Sequence, residues 1–338
     1  MYCNSCLKKI EKEQITYCEQ CGVPICKKCA NHCMQCGKEL CDSCYMDNKY
    51  MCEECYSPED IFTTIRRSHI EQYAGCPYSI YLQLILGITP PMGSHAELGV
   101  LTHEIIEKIE LDKIKHEEAL NELQEKIDAW NQSTKDSYSV ITMELEEIGK
   151  NCINYFYKIK GMFGNKFKSE YNIKYSIDEK LPNISCTLDR IEWVGKDIHI
   201  HDWKTGKPMS GKKLITDLQP PLYIYGIYKE FGEFPKTFNL HYLNHEKHIT
   251  YKWKGEGMYE VKTTKNTYML DVNNAIERTK KILKDIKRQK FDMPTDSTHL
   301  WRCKNICWFG TSGKCKGVEI EQWKKIKEKN VETNKDVE

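Results

Sequence analysis

No stretch of this chain is apolar for long enough to cross a bilayer. The longest such run, Tyr78 to Ile88, falls short of the about 20 residues a spanning helix needs. A secretory leader is also missing: the sequence opens directly on Cys3 and Cys6, which sets the expectation of a reducing cytoplasm. Nor does one sign of charge prevail. Lys and Arg number 50 against 49 Asp and Glu, a formal net charge of +1, so overall charge names no polyanionic partner and any basic surface has to be local. A loop of the form G-x-x-x-x-G-K-S/T does not occur, so any unwinding motor has to be a separate protein. Hydrophobic residues at 40% and charged residues at 29% describe a globular chain. Its 338 residues suffice for one substantial core and a smaller accessory unit.

What the chain has in excess is cysteine: 18 residues, 12 of them within positions 1–55. They form six C-x2-C pairs: Cys3/Cys6, Cys18/Cys21, Cys26/Cys29, Cys33/Cys36, Cys41/Cys44 and Cys52/Cys55. The stretch CEQCGVPICKKC at 18–29 is echoed by CMQCGKELCDSC at 33–44. A C-x2-C pair places two thiolates on one tight turn, and two pairs close a tetrahedral Zn²⁺ site, so six pairs imply about three ions. The segment has too little apolar content for a core of its own, and metal has to supply the stability. The short gap within each repeat favours interleaved sites, with Cys3/Cys6 joined to Cys26/Cys29 as the first expectation. The arrangement resembles cross-brace fingers of the FYVE, RING or B-box kind. With seven Lys against eight acidic residues in 1–56, protein contact is as expected of this module as DNA contact.

Composition shifts at Ser57-Pro58. We divide the chain into a zinc-binding module (1–57), a second domain carrying the chemistry (58–318) and a charged tail (319–338). In the second domain, helices are expected over 61–73, 77–86, 97–130 (in one or two pieces), 142–160 and 217–231. Strands are expected near 168–179, 184–194 and 197–203, then a hairpin over 237–253 and a long helix over 260–289. The order describes a mixed α/β core decorated with helices.

Four short motifs carry chemistry. In Ile200-His201-Asp202-Trp203-Lys204-Thr205-Gly206, a strand running into a glycine turn points Asp202 and Lys204 to one face and Trp203 to the other. A carboxylate beside an ammonium suits a hard metal ion and a phosphate. One strand upstream, Asp189 follows Cys186-Thr187-Leu188. A turn at Gly195 would lay Asp189 and Asp202 on adjacent strands. On the expected helix, Gly99, His103 and Glu107 stack on one face, the glycine allowing close approach to the sheet. Gln219 and Tyr223 share a face of the next helix, whose Pro220 and Pro221 fit only its first turn.

In order and separation these motifs resemble the RecB/AddB-type exonuclease branch of the PD-(D/E)XK nuclease superfamily, to which CRISPR-associated and phage exonucleases also belong. The resemblance covers about residues 62–316. It implies a restriction-endonuclease-like core, a mixed central sheet flanked by helices, and DNA phosphodiester hydrolysis. It further implies His103, Asp189 and Asp202 as ligands of Mg²⁺ or Mn²⁺, Lys204 as the catalytic lysine, and Gln219 and Tyr223 as supporting residues. Lys207, Lys212 and Lys213, with Arg66 and Arg67, are candidate phosphate contacts. Two rival functions are a zinc-finger adaptor with a non-cleaving nuclease-like domain and an RNA nuclease.

Members of this family often hold a 4Fe–4S cluster on one cysteine before the first motif and three near the C-terminus. Cys76 with Cys303, Cys307 and Cys315 matches that layout, although the spacing C-x3-C-x7-C departs from the family's C-x2-C-x5-C, and zinc in the same thiolates is the alternative.

Overall fold

The computed structural model describes residues 14–19, 22–27, 29–32, 38–41, 62–134, 139–293 and 297–315. Cys3, Cys6, Cys21, Cys33, Cys36, Cys44, Cys52, Cys55 and the charged tail over 319–338 lie outside them. The chain divides into two compact units. One comprises Met1–Thr63, Gln72–Pro90 and Gln289–Glu338, the other Thr64–Glu71 and Pro91–Arg288.

In the first unit, strands β1 (Ile15–Tyr17) and β2 (Pro24–Cys26) pair antiparallel, and so do β3 (Asn31–His32) and β4 (Glu39–Leu40). Between β1 and β2, the Gly22 N–H donates to the Cys18 carbonyl at 2.8 Å, with Gly22 at φ +74, a region glycine enters freely. Ile25, Leu40, Cys18 and Cys41 form a small core. Later segments of this unit hold short helices at Pro77–Ile80, Ser297–Asn305 and Trp308–Thr311 and a π-helical turn at Tyr81–Ile85. Phe291 packs against Phe62, Tyr73 and Tyr81 there, and the Tyr73 hydroxyl donates to the Lys290 carbonyl at 2.5 Å.

The second unit is built on one mixed sheet. Its elements are β5 (Thr64–Arg66), α1 (Arg67–Gly75), α2 (Ser94–Glu110), α3 (His116–Ser133), α4 (Met143–Ile159), β6 (Phe167–Tyr175), β7 (Asn183–Val194), β8 (Asp197–Lys204), α5 (Gln219–Phe231), β9 (Thr237–Tyr242), β10 (Lys247–Gly255), β11 (Met258–Lys262), β12 (Thr267–Asp271) and α6 (Val272–Lys287). The strands follow the order β12-β11-β10-β9-β8-β7-β5, with β6 also on β7. The β5–β7 and β8–β9 pairs are parallel and the others antiparallel. Because β6 covers one edge of β7 from Ile184 to Glu192, β8 and β5 share the other edge at opposite ends. The expected mixed α/β core with a central sheet flanked by helices is what forms.

Helices α2, α3 and α4 pack into one apolar core that includes Trp203. The close approach is made by Gly149, where a Cβ would come within 2.9 Å of Leu98 and 3.0 Å of Leu123. The expected role of Gly99 does not hold: a Cβ there would meet only Thr205 Oγ1 at 3.8 Å, an ordinary contact. Prolines 220 and 221 occupy the first turn of α5, as their missing N–H groups require.

Two further expectations are corrected. Residues 260–289 are not one helix. Tyr259 and Val261 are fully buried and alternate with more exposed neighbours, the period of a strand. The helix starts only after Asp271, whose side chain caps it by accepting the Asn274 N–H at 2.9 Å. Four strands therefore follow α5 rather than two. Likewise, the helix expected from residue 61 is preceded by β5, which Ile65 buries beside Ile184.

Beneath the sheet, His201 Nδ1 and His241 Nε2 lie 3.0 Å apart, with Glu192 Oε2 3.4 Å from His201 Nε2. Arg190, buried beside them, pairs with Glu110 at 3.0 Å and Glu192 at 3.3 Å. Burial, and then His241 and Arg190, drop His201 to about 2, while burial and His248 drop His241 to about 3, from an ordinary 6.5. With folded values depressed, the unfolded chain takes up protons that the fold refuses as pH falls through 6.5. This pair thus supports the fold above that pH and loses its contribution below it. The imidazole ¹⁵N shifts of both rings should stay at neutral-tautomer values from pH 8 to pH 5 while the exposed His95 titrates; either core ring titrating near 6.5 contradicts this packing.

Candidate active site

Backbone pairing between β7 and β8 runs from Val194↔Asp197 to Arg190↔His201 and stops there. Beyond it the Trp203 N–H donates to Asp189 Oδ2 at 2.6 Å, so a carboxylate replaces the ladder partner. The other oxygen, Asp189 Oδ1, faces His103 Nδ1 of α2 at 3.5 Å. Strand alternation then works as the sequence predicts. Trp203 turns into the core, while Asp202 and Lys204 face one site, where they form an ion pair. Gln219, first in α5, donates from Nε2 to Asp202 Oδ1 at 2.7 Å. Asp202 Oδ2 is buried and has no aligned hydrogen-bond donor.

His103, Asp189 and Glu170 bring ligand atoms within 4.8 Å of one another. Glu170 is the residue that sequence reasoning missed. The β6–β7 ladder pairs Ser169 with Arg190 and Tyr171 with Leu188 but skips Glu170 and Asp189. Glu170 has φ +46, a left-handed conformation that costs a non-glycine residue about 1–2 kcal/mol. Asp202 stands behind this trio, held by Lys204 and Gln219. Glu107 does not belong to it; with Gly99, Val100, His103, Glu104 and Glu170 it lines a cavity of about 390 Å³.

Tyr223 carries the Arg67 guanidinium over its ring at 5.4 Å, and Arg67 pairs with Glu71 at 2.6 Å. Two cations, Lys204 and Arg67, thus accompany the carboxylates. Burial disfavours the Lys204 ammonium, but Asp202 and Asp189 outweigh it and raise the lysine above its ordinary value. Burial likewise opposes the His103 imidazolium, and Asp189 overrides it to give about 9. Burial raises Glu170 to about 7, with Asp189 adding to the effect and His103 opposing it. Asp202 is raised by burial against the pull of Lys204. Asp189 moves down, because His103, Lys204 and the Trp203 N–H together outweigh its burial.

The arrangement is a set of crowded carboxylates that hold protons for want of positive charge. A hard divalent cation suits it: the donor set is oxygen with one imidazole, and the unbonded Asp202 Oδ2 adjoins it.

The profile of the PD-(D/E)XK nuclease superfamily matches residues 67–311. The chain belongs to that superfamily. No curated protein sequence matches it. A solved structure titled "Crystal structure of SSO0001" is similar over 71% of this chain and 96% of its own, at 14% identity and a TM-score of 0.28, a likeness that carries nothing further. For a PD-(D/E)XK nuclease, the lysine two residues after an acidic residue on a sheet strand is here the Asp202–Lys204 pair. Membership also implies a nucleic-acid substrate and a divalent metal. Among the described residues no helix is long and apolar enough to cross a membrane.

Glu170 and Glu107 separate by experiment. Glu170→Ala and Asp189→Ala should each weaken Mn²⁺ binding about tenfold or more, read as the free-ion signal in electron paramagnetic resonance, while Glu107→Ala changes it less than threefold. Equal effects of Glu170→Ala and Glu107→Ala would remove Glu170 from the site.

Proposed function

We propose that this PD-(D/E)XK nuclease is a Mg²⁺- or Mn²⁺-dependent deoxyribonuclease, an exonuclease of the RecB/AddB type. The observation that carries the reading is the convergence of His103, Asp189 and Glu170 beside the Asp202–Lys204 pair. In this reading His103, Asp189 and Asp202 hold the cation, with Glu170 as a further ligand. Bound there, a divalent cation polarises the scissile phosphate and acidifies a water. Lys204 is held protonated by Asp202 and Asp189, so it acts as a cation facing developing negative charge and not as a base. Gln219 fixes the Asp202 carboxylate, and Tyr223 steadies Arg67, a second cation for the phosphate backbone. The cavity mouth carries Glu104, Glu107 and Glu170, which would repel a polyanion in the absence of bound cations.

The zinc and iron–sulfur readings belong to the same proposal, as does the division into a zinc module (1–57), a nuclease domain (58–318) and a tail (319–338). For the second cysteine set, the Cys303 thiol is raised to about 11, by burial first and then by Cys307, Cys76 and Cys315. Four thiols that resist ionising together suit a cluster whose irons neutralise them. Their loop is tight: a Cβ on Gly310 would lie 2.0 Å from the Cys303 carbonyl oxygen, and the Cys315 N–H donates to the Phe309 carbonyl at 2.7 Å. DNA strands or ends are the substrate in this reading, a separate helicase is a candidate protein partner of the zinc module, and a reducing cytoplasm is the compartment.

The test is cleavage of end-labelled single- and double-stranded DNA by anaerobically purified protein with Mn²⁺ or Mg²⁺. Cleavage should vanish with chelator and fall about a hundredfold or more in Lys204→Ala. Metal-loaded protein that cuts no DNA contradicts the proposal, and cleavage confined to RNA moves the substrate.

A further inference from the structure

The zinc reading of the N-terminal cysteines leaves their partition open, and the described residues decide part of it. Cys18 sits where β1 ends, at the tip of its hairpin, in the turn closed by Gly22 N–H to the Cys18 carbonyl at 2.8 Å and Cys18 N–H to the Val23 carbonyl at 3.0 Å. Cys26 sits at the opposite end of that hairpin, paired with Ile15, and starts its own tight turn, with the Cys29 N–H donating to the Cys26 carbonyl at 2.8 Å. The run of strand from Cys18 back to the level of Cys26 is about 10 Å at 3.3 Å per residue. Two sulfurs on one zinc lie at most about 4.6 Å apart, twice the Zn–S bond. The tip of the hairpin therefore looks elsewhere for its second pair of ligands.

That place is the end of the other hairpin. The Glu19 N–H donates to the Glu39 carbonyl and the Glu39 N–H to Glu19 Oε1, both at 2.8 Å, and the Thr16 hydroxyl donates to the Glu39 carboxylate. This lays the Cys18 turn along β4, which leads directly into Cys41. Cys18 is 1% exposed and Cys41 2%, and the two share one core with Ile25 and Leu40, while Cys26 and Cys29 pack against it half-buried. Two buried thiols meeting from different repeats, each the first or second half of a C-x2-C pair in sequence, make a composite site.

We infer that Cys18 and Cys41, with their sequence partners Cys21 and Cys44, bind a single Zn²⁺ that joins the tip of the first hairpin to the end of the second. The site rests on the zinc reading proposed above. It couples the two repeats head to tail and leaves Cys26/Cys29 to a different ion, which agrees with their expected union with Cys3/Cys6.

The test is zinc content of the full-length protein by mass spectrometry after exhaustive dialysis. Cys18→Ser and Cys41→Ser should each lose one zinc per chain, and the double variant should still lose only one. Cys18→Ser with Cys26→Ser should lose two. A loss of two from Cys18→Ser with Cys41→Ser overturns the assignment. Should a variant shed all its zinc, the unmutated protein loaded with ¹¹³Cd decides: the β-protons of Cys18 and Cys41 couple to the same cadmium resonance if the inference holds and to different ones if it fails. A wild-type chain that binds neither metal removes the underlying zinc reading, and this site with it.

Discussion

A backbone amide that leaves its ladder for a carboxylate organises this protein. Where β7 and β8 part, the Trp203 N–H goes to Asp189 at 2.6 Å instead of to a strand partner. A buried amide without a partner costs about 1–3 kcal/mol, so the carboxylate stabilises the fork that it occupies. The same bond aims the remaining Asp189 oxygen at His103. It also fixes the phase of β8, sending Trp203 into the helical core and Asp202 and Lys204 into the site. Fold and chemistry meet in this one hydrogen bond.

Electrostatics explains why the surroundings look as they do. Asp189, Asp202 and Glu170 crowd a small volume, and burial penalises each carboxylate. Lys204, His103 and Arg67 return part of the positive charge. Deeper in, Arg190 answers Glu110 and Glu192, and leaving either carboxylate unpaired there would be strongly destabilising. The site is thus an acidic cluster on a charge-neutralised base, with strain stored at Glu170.

Much of this was legible in the sequence because it depends on local periodicity. Asp202 and Lys204 are two residues apart on a strand, Gln219 and Tyr223 four apart on a helix, and the turn at Gly195 joins consecutive strands. Glu170 was not legible: its place depends on the register of β6 against β7 and on a left-handed φ that glutamate seldom adopts. The strands β11 and β12 escaped for another reason. They are short and rich in Lys, Glu and Met, whose helical preference is overridden by burial of Tyr259 and Val261 in the sheet. Gly99 illustrates the converse, a glycine whose helix position suggested a close contact that Gly149 makes instead.

The N-terminal repeats carry the same lesson at smaller scale, since their spacing announces metal while only the hairpin register shows which thiols meet. The nuclease site is the part on which function turns, and a crystal of the protein soaked in Mn²⁺ tests it most directly by anomalous scattering. A manganese peak between His103 and Asp189, within ligand distance of Glu170 or Asp202, is the predicted result. Saturating Mn²⁺ with no peak there, or with a peak only elsewhere on the chain, would contradict the assignment of this cluster as the metal centre.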